Sequence, residues 1–276
     1  MKTELKPTTF SRREFIAGMT AAAATLPFAT QLKAANTKRP ICVFSKHLQW
    51  CKCFDEMANV AAEIGFDGVD LTVRKGGHVP PEEAVKKLPL AVKAVEKAGL
   101  KVYMMTAGVN DPDDKWTVPV LKTASELDIG FYRMGYLNYD KELGVAGSLP
   151  KLRETMAKLA KLNEQYKIHG AYQNHAGARV GGAVWDIWEL IKDLDPKWMG
   201  CQYDIRHATV EGATSWPLGF DLLKIHTKII AAKDFNWAQV DGKWQAVNVP
   251  LGKGMVNFDS YFSLYKKYNV TGPISL

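Results

Sequence analysis

Residues 54–73, FDEMANVAAEIGFDGVDLTV, contain two hydrophobic patterns separated by a short glycine-containing break. The apolar residues of 54–64 recur at the three- and four-residue spacing of an amphipathic helix. Gly65 and Gly68 interrupt this spacing, and the short apolar run over 69–73 that follows them is typical of a strand. The stretch therefore predicts a helix that leads directly into a strand.

The same alternation of short apolar runs and longer amphipathic segments extends along the chain from residue 40. Seven more strands are predicted, at 41–45, 101–107, 131–137, 170–174, 199–205, 229–234 and 272–276. Six more helices are predicted, at 80–98, 116–128, 149–167, 183–193, 217–227 and 257–268. Eight strands, each separated from the next by a helix, favour an α/β fold of the (β/α)8 TIM-barrel type.

Three further observations refine this fold. Residues 235–250 predict a hairpin with Asp241-Gly242 as its turn. The last predicted strand, 272–276, has no closing helix after it, so we expect a barrel that is truncated at or just after strand 8. An open doubly wound sheet is the alternative, but it favours a glycine-rich phosphate turn after the first strand, and none follows 41–45.

Residues 1–35 differ in character from the rest of the chain. Ser11-Arg12-Arg13-Glu14-Phe15-Ile16 precedes a mild Ala-rich segment over 17–29 and small residues near 34–35. This order resembles a twin-arginine signal peptide, so we expect 36–276 to form the barrel and the mature protein to be periplasmic or otherwise exported. No segment reaches about 18 unbroken apolar residues, so no membrane insertion is expected after signal cleavage.

The composition restricts the ligands and partners that the chain suits. Its formal net charge is +7, but it contains no Lys/Arg-rich block, which argues against nucleic-acid binding. Four cysteines include Cys51 and Cys53, whose spacing is not that of a zinc site, and we interpret them as mostly buried thiols. A small-molecule ligand is therefore expected, and the oligomeric state is left open.

Polar side chains follow most of the predicted strands. In a barrel of this type the carboxyl ends of the strands meet at one face, where the chemistry gathers. The polar residues at these ends are Lys46, His47, Asp70, Arg74, Thr106, Arg133, Gln173, Asn174, His175, Asp204, His207, Lys233 and Asp234. Together they predict a polar mouth that contains three imidazoles, several carboxylates and lysine.

The order of several short blocks carries a family resemblance. These blocks are Gly65–Asp70, Gln173-Asn174-His175, Tyr203-Asp204-x-x-His207, Lys233-Asp234-Phe235 and Val249-Pro250-Leu251-Gly252-x-Gly254. They resemble the sugar phosphate isomerase/epimerase group of the xylose isomerase-like TIM-barrel superfamily, over about residues 40–276. The resemblance implies a divalent metal (Mn, Mg, Co or Zn) held by Glu, Asp, His and Glu from strands five to eight. It also implies transfer of a proton between adjacent carbons of a sugar or related polyol.

This chain departs from the implied ligand set at three positions. Gln173 stands where the family has its strand-five Glu, and Ala231 stands where it has its strand-seven His. The strand-eight Glu would lie beyond Leu276. Asp204, with Gln173 as a weak neutral ligand, is therefore the predicted metal-binding pair, and a degenerate metal site is expected.

We predict that Lys233 acts with His175 or His207 in acid–base catalysis, because Gln173 cannot serve as a base. The predicted substrate-binding residues are His47, Arg133, Asn174, Trp216 and Trp237. Two structural alternatives remain: Lys233 pairs with a neighbouring carboxylate, and Asp204 caps the following segment while His207 packs beside it.

The function predicted from these residues is an exported sugar isomerase or epimerase that acts on a hydroxy-carbonyl substrate. A keto-sugar lyase or hydrolase that uses Lys and His chemistry is an alternative, as is a non-catalytic carbohydrate-binding barrel. The endonuclease branch of the superfamily ranks last, because it needs a dense His/Glu set for three zinc ions and this chain has six histidines.

Overall fold

A computed structural model describes residues 39–276, and the predicted signal peptide at 1–35 lies outside them. The strands are β1 (Ile41–Phe44), β2 (Gly68–Val73), β3 (Lys101–Ala107), β4 (Phe131–Arg133), β5 (His169–Gln173), β6 (Met199–Asp204), β7 (Thr227–Ala231), β8 (Asp234–Val240), β9 (Lys243–Val249) and β10 (Ile274–Ser275). Eight of them form a closed parallel barrel in the order β1-β10-β7-β6-β5-β4-β3-β2. The predicted (β/α)8 fold is confirmed.

The barrel closes through the short strand β10. Ile274 pairs with Ile41 of β1 on one side and with Ile230 of β7 on the other. The ladder continues past β10, since the backbone N–H of Phe44 donates to the carbonyl of Leu276 at 2.9 Å. The segment predicted as strand eight therefore completes the sheet.

Helices surround the barrel at α1 (Phe54–Ile64), α2 (Ala84–Lys97), α3 (Thr117–Glu126), α4 (Gly144–Tyr166), α5 (Val184–Ile191), α6 (Ile205–Gly212), α7 (Trp216–Leu223) and α8 (Phe258–Lys267). In the part of the chain that the structure describes, none of them is long and apolar enough to cross a membrane. Helix α6 was not predicted, since the sequence patterns gave no helix between the strand at 199–205 and the helix at 217–227. Asp204 caps this helix, with its Oδ1 accepting from the backbone N–H of His207 at 3.3 Å.

Strand β4 is shorter than the predicted strand 131–137. The backbone N–H of Gly135 donates to the carbonyl of Val109 in the loop after β3, at 2.8 Å. An added Cβ at Gly135 would approach the Gly108 carbonyl oxygen at 2.6 Å, so only glycine allows this close approach. The chain therefore leaves the barrel wall here, and this bend carries Tyr136 to the carboxyl-end face.

The predicted hairpin is confirmed. Strands β8 and β9 pair antiparallel, and Asp241 and Gly242 between them have φ values of 50° and 73°. Positive φ at both turn positions matches the twist of paired strands, which is why this dipeptide favours a two-residue hairpin. The Asp234 carboxylate holds the returning loop, accepting from the backbone N–H groups of Gly252 at 2.9 Å and Gly254 at 2.8 Å.

Candidate active site

A cavity of about 360 Å³ opens at the carboxyl ends of the barrel strands. Its lining contains six residues that were predicted to belong to the site: His47, Arg133, Gln173, His175, His207 and Lys233. A larger groove of about 590 Å³ runs along the loops after β3 and β4. Because none of the predicted site residues lines that groove, the smaller cavity is the candidate active site.

The other half of the cavity lining was not assigned a role from the sequence. It consists of Phe44, Lys46, Arg74, Tyr136, Arg206 and Asn248. Lys46 and Arg74 follow predicted strands and were recognised as polar strand ends. Arg206 lies between Asp204 and His207 in the block that carried the resemblance, which is the one signal that could have identified it. Tyr136 and Asn248 reach the cavity only through the bend after β4 and the hairpin.

Asp204 is the centre of the polar network at the base of this site. Its side chain is fully buried. Its Oδ2 accepts hydrogen bonds from Lys233 Nζ at 2.6 Å and from Gln173 Nε2 at 2.7 Å. Burial opposes ionisation, but the charge of Lys233 and the hydrogen bonds that the carboxylate accepts together outweigh it, so the pKa of Asp204 lies below its usual value. The carboxylate is thus held in its charged form against the Lys233 ammonium.

Asn174 positions the Asp204 backbone and does not line the cavity. Its Oδ1 accepts from the Asp204 N–H at 2.7 Å, and its Nδ2 donates to the Asp204 carbonyl at 2.9 Å. These two bonds join the ends of β5 and β6, and the side chain is almost completely buried. The structure therefore gives Asn174 a positioning contact in place of the predicted contact with substrate.

Gln173 is occupied at both ends of its amide. Its Oε1 accepts from Arg133 Nη1 at 2.6 Å and from the Tyr136 hydroxyl at 2.7 Å, while its Nε2 donates to Asp204. The oxygen that could ligate a metal therefore faces a guanidinium. Gln173 acts as a bridge that connects Arg133 to the Asp204–Lys233 pair.

The donor set around Asp204 and Gln173 does not fit a divalent metal. Such ions select anionic oxygen or neutral imidazole ligands and are repelled by neighbouring cations. The Lys233 ammonium already lies 2.6 Å from Asp204 Oδ2. Within residues 39–276, no group of three or more His, Cys, Asp or Glu side chains is placed to hold a metal. Asp204, the charged member of the predicted metal-binding pair, therefore binds the Lys233 ammonium in this structure.

His175 and His207 are stacked beside this pair, with ring centroids 3.8 Å apart and planes inclined by 32°. Burial lowers the pKa of both imidazoles, that of His207 to about 3. His175 Nδ1 lies 2.9 Å from the Ala176 carbonyl, which can only accept, so Nδ1 carries the proton and Nε2 keeps its lone pair. His207 Nδ1 lies 3.1 Å from Arg206 Nη1, which can only donate, so His207 carries its proton on Nε2.

The buried, neutral His207 predicts a pH-dependent stability. The pKa of His207 falls from 6.5 in the unfolded chain to about 3 in the folded protein, so between these values the unfolded state binds the additional proton. The contribution of neutral His207 to stability is therefore present above pH 6.5 and decreases as the pH falls. We expect His207→Gln to reduce the loss in unfolding free energy between pH 6.5 and 5 by about 2 kcal/mol. Urea denaturation at both pH values measures this, and an unchanged loss in the variant would assign the effect to other groups.

The two tryptophans predicted to bind substrate lie in different environments. Trp216 is 7% exposed, accepts a hydrogen bond on its carbonyl from the Tyr203 hydroxyl at 2.7 Å, and packs edge-on against Tyr261. It belongs to the core between the barrel and its helices, and the prediction that it lines the site is not supported. Trp237 is 44% exposed and lies on β8 opposite Ala246, outside the cavity lining.

A closed (β/α)8 barrel with a polar cavity at the carboxyl ends of its strands is a TIM barrel with its candidate site on the face that these folds use. Residues 58–276 match the model of the xylose isomerase-like TIM barrel family. The chain belongs to this family.

Solved structures with the same fold have low sequence identity to this chain. A D-tagatose 3-epimerase-like protein has a TM-score of 0.66 at 21% identity, covering 86% of this chain and 89% of its own. A 3-keto-D-glucoside 4-epimerase from E. coli has a TM-score of 0.63 at 13% identity, covering 86% and 91%. A xylose isomerase-like TIM barrel protein from Mycobacterium smegmatis, solved with magnesium, has a TM-score of 0.64 at 16% identity, covering 86% and 89%. No curated protein matches the chain in sequence.

Proposed function

We propose that this protein is a sugar isomerase or epimerase that moves a proton between adjacent carbons of a hydroxy-carbonyl substrate. The observation that carries the proposal is the meeting of Lys233, His175 and His207 in one cavity at the barrel mouth. Sugar epimerases among the proteins of similar fold support the same class of reaction. No step of the proposed reaction uses a metal, because Lys233 occupies the carboxylate on which a metal would depend.

The proposed reaction begins with a neutral base. His175 Nε2 has an available lone pair, and burial keeps the ring uncharged by lowering its pKa, so it accepts the proton from the carbon beside the carbonyl. The electrons move into the carbonyl and form an enediolate, whose negative oxygen is stabilised by the Lys233 ammonium. Asp204 holds that ammonium in place through a 2.6 Å hydrogen bond.

The direction of proton return distinguishes the two reactions of this class. The imidazoles of His175 and His207 lie against each other, and we place both on one side of a bound sugar. Return of the proton from that side to the neighbouring carbon, with transfer of the hydroxyl proton from the oxygen that becomes the new carbonyl to the former carbonyl oxygen, gives isomerisation. Return to the opposite face of the same carbon, as an epimerase requires, needs a separate acid, and we assign this role to Lys233, which lines the same cavity outside the imidazole pair.

Solvent exchange tests the proposal. The protein is incubated in D2O with D-tagatose, D-allulose, a 3-keto-glucoside and D-glucuronate, and the sugars are analysed by NMR. We expect deuterium at the carbon adjacent to the carbonyl and a new isomer or epimer, both unchanged after EDTA treatment. Loss of a leaving group after exchange would favour the keto-sugar lyase alternative. No exchange with any substrate would favour a non-catalytic binding barrel.

We also propose that the protein is exported by the twin-arginine route, with residues 1–35 as its signal. The support is the Arg12-Arg13 pair and the Ala-rich segment that follows it. N-terminal sequencing of the protein recovered from a periplasmic fraction tests this proposal. A chain that begins at Met1 and stays in the cytoplasmic fraction would contradict it.

A further inference from the structure

We infer that the cavity binds a substrate with an anionic group, a carboxylate or a phosphate, next to Arg74 and Arg133. The inference deepens the proposed function, because it names the substrate class of the same site. It rests on positive charges in the cavity that have no negative partner in the described structure. Calorimetric titration measures the binding independently of turnover.

Five lysine and arginine side chains contribute to the cavity lining, and no carboxylate does so. The cations are Lys46, Arg74, Arg133, Arg206 and Lys233. Lys233 is paired with Asp204. Among the residues that the structure describes, none of the other four takes part in an ion pair. An exposed surface lysine is compensated by water, but clustered cations in a cavity repel each other and attract an anion.

Arg133 is the most deeply placed of these cations. It is 6% exposed, and its Nη1 donates to two neutral oxygens, those of Gln173 and Tyr136. Its Nε is buried without a hydrogen-bond partner. A buried guanidinium without a carboxylate partner is costly, and an anionic ligand supplies the missing negative charge.

Arg74 extends the same positive region toward solvent. Arg74 and Arg133 line the same cavity. Burial and then the neighbouring charge of Arg133 lower the pKa of Arg74. The guanidinium of Arg74 lies 5.7 Å from the centre of the Phe44 ring. Two neighbouring guanidiniums are the arrangement that binds the paired oxygens of a carboxylate or phosphate.

The carboxylates beneath the cavity do not neutralise this region. Asp204 is engaged by Lys233. Asp70 is buried in the barrel interior, where its oxygens accept hydrogen bonds from the hydroxyls of Thr106 and Ser275 at 3.0 Å and 2.6 Å. Burial raises the pKa of Asp70, while the charge of Arg133 acts in the opposite direction. Neither carboxylate forms an ion pair with Arg74 or Arg133, so both guanidiniums remain available to pair with a ligand.

Calorimetric titration with matched ligands tests the inference. The ligands are D-glucuronate, D-glucose 6-phosphate, inorganic phosphate and neutral D-glucose, each added to the full chain at low salt. We expect the anionic sugars to bind at least about tenfold more tightly than D-glucose, with the advantage decreasing as salt is added. Preference for D-glucuronate would identify a carboxylate as the natural group, and preference for D-glucose 6-phosphate would identify a phosphate.

A matched pair of variants assigns the binding to Arg74. Arg74→Gln is expected to weaken D-glucuronate or D-glucose 6-phosphate binding by about tenfold or more, because it removes a charged hydrogen-bond donor. Lys93→Gln removes the same charge from the exposed surface of α2 and should leave binding unchanged. Equal affinity for anionic and neutral ligands, or binding of none of the four, would overturn the inference. Tight anion binding without any solvent exchange would contradict the proposed reaction but leave this inference standing.

Discussion

Replacing Lys233 with methionine is expected to lower turnover by about a thousandfold, within the range for loss of an acid–base or oxyanion-stabilising group. Methionine keeps the length and apolar part of the side chain but removes the ammonium that lies 2.6 Å from Asp204 Oδ2. The enediolate oxygen then forms without a positive neighbour at this position. Initial rates of solvent exchange and product formation, compared with those of the unmodified chain, measure the effect.

The same substitution leaves Asp204 buried without its cationic partner, and we expect a loss of about 3–5 kcal/mol in the free energy of unfolding. Two further variants separate folding from catalysis. Lys233→Arg preserves the charge and should fold normally, but it transfers protons poorly because guanidinium does not deprotonate in proteins. Lys93→Met makes the same chemical change at an exposed position and serves as the control. Full turnover by a folded Lys233→Met protein would remove Lys233 from the proposed mechanism.

Gln173→Glu is expected to convert the ammonium site into one that responds to divalent metal. The amide nitrogen that donates to Asp204 at 2.7 Å would become a second carboxylate oxygen at the same place. The new carboxylate would lie between Arg133 and the Asp204–Lys233 pair, where Asp204 repels it, and the hydrogen bond to Asp204 is also lost. We expect a decrease of about 1–3 kcal/mol in unfolding free energy in metal-free buffer.

Thermal unfolding with and without Mn²⁺ measures the response. Metal bound to the folded state alone stabilises it, so Mn²⁺ should raise the melting temperature of the Gln173→Glu variant and leave that of the unmodified chain unchanged. Gln239→Glu introduces the same charge on the exposed hairpin and should show no response. Stabilisation of the unmodified chain by Mn²⁺ would contradict the conclusion that Asp204, Gln173 and Lys233 do not fit a divalent metal.

Local sequence patterns predicted the strands, most of the helices and the hairpin, because hydrophobic spacing and turn chemistry depend on residues close together in the chain. Asp241-Gly242 illustrates this, since both residues adopt the positive φ that the dipeptide favours. Helix α6 was not predicted, because it lacks such a local pattern. Its first residues, Ile205-Arg206-His207, have no helical hydrophobic pattern, and the helix depends on capping by Asp204 at the end of β6.

The site was predicted in part. Strand ends placed Lys233, His175 and His207 together, because parallel strands in a barrel end at a common face. Trp216 was placed in the site by the same reasoning, but its ring packs on Tyr261 in the core. Position along the chain gives the face of the barrel on which a residue lies, and packing against neighbours decides whether its side chain enters the cavity.

Hydrophobic spacing and strand-end residues were enough to predict the barrel and the residues at its mouth, and the family resemblance pointed to Gln173 and Ala231 at two expected ligand positions. The partners of these side chains depend on the folded barrel: Lys233 contacts Asp204, Gln173 lies between Arg133 and Asp204, and the rings of His175 and His207 lie against each other. The reason is physical. Periodicity is encoded over a few residues, whereas the Asp204–Lys233 pair joins residues 29 apart and the Arg133–Gln173 bond residues 40 apart. Their charges and hydrogen bonds exist only after the barrel brings separate strands to one face.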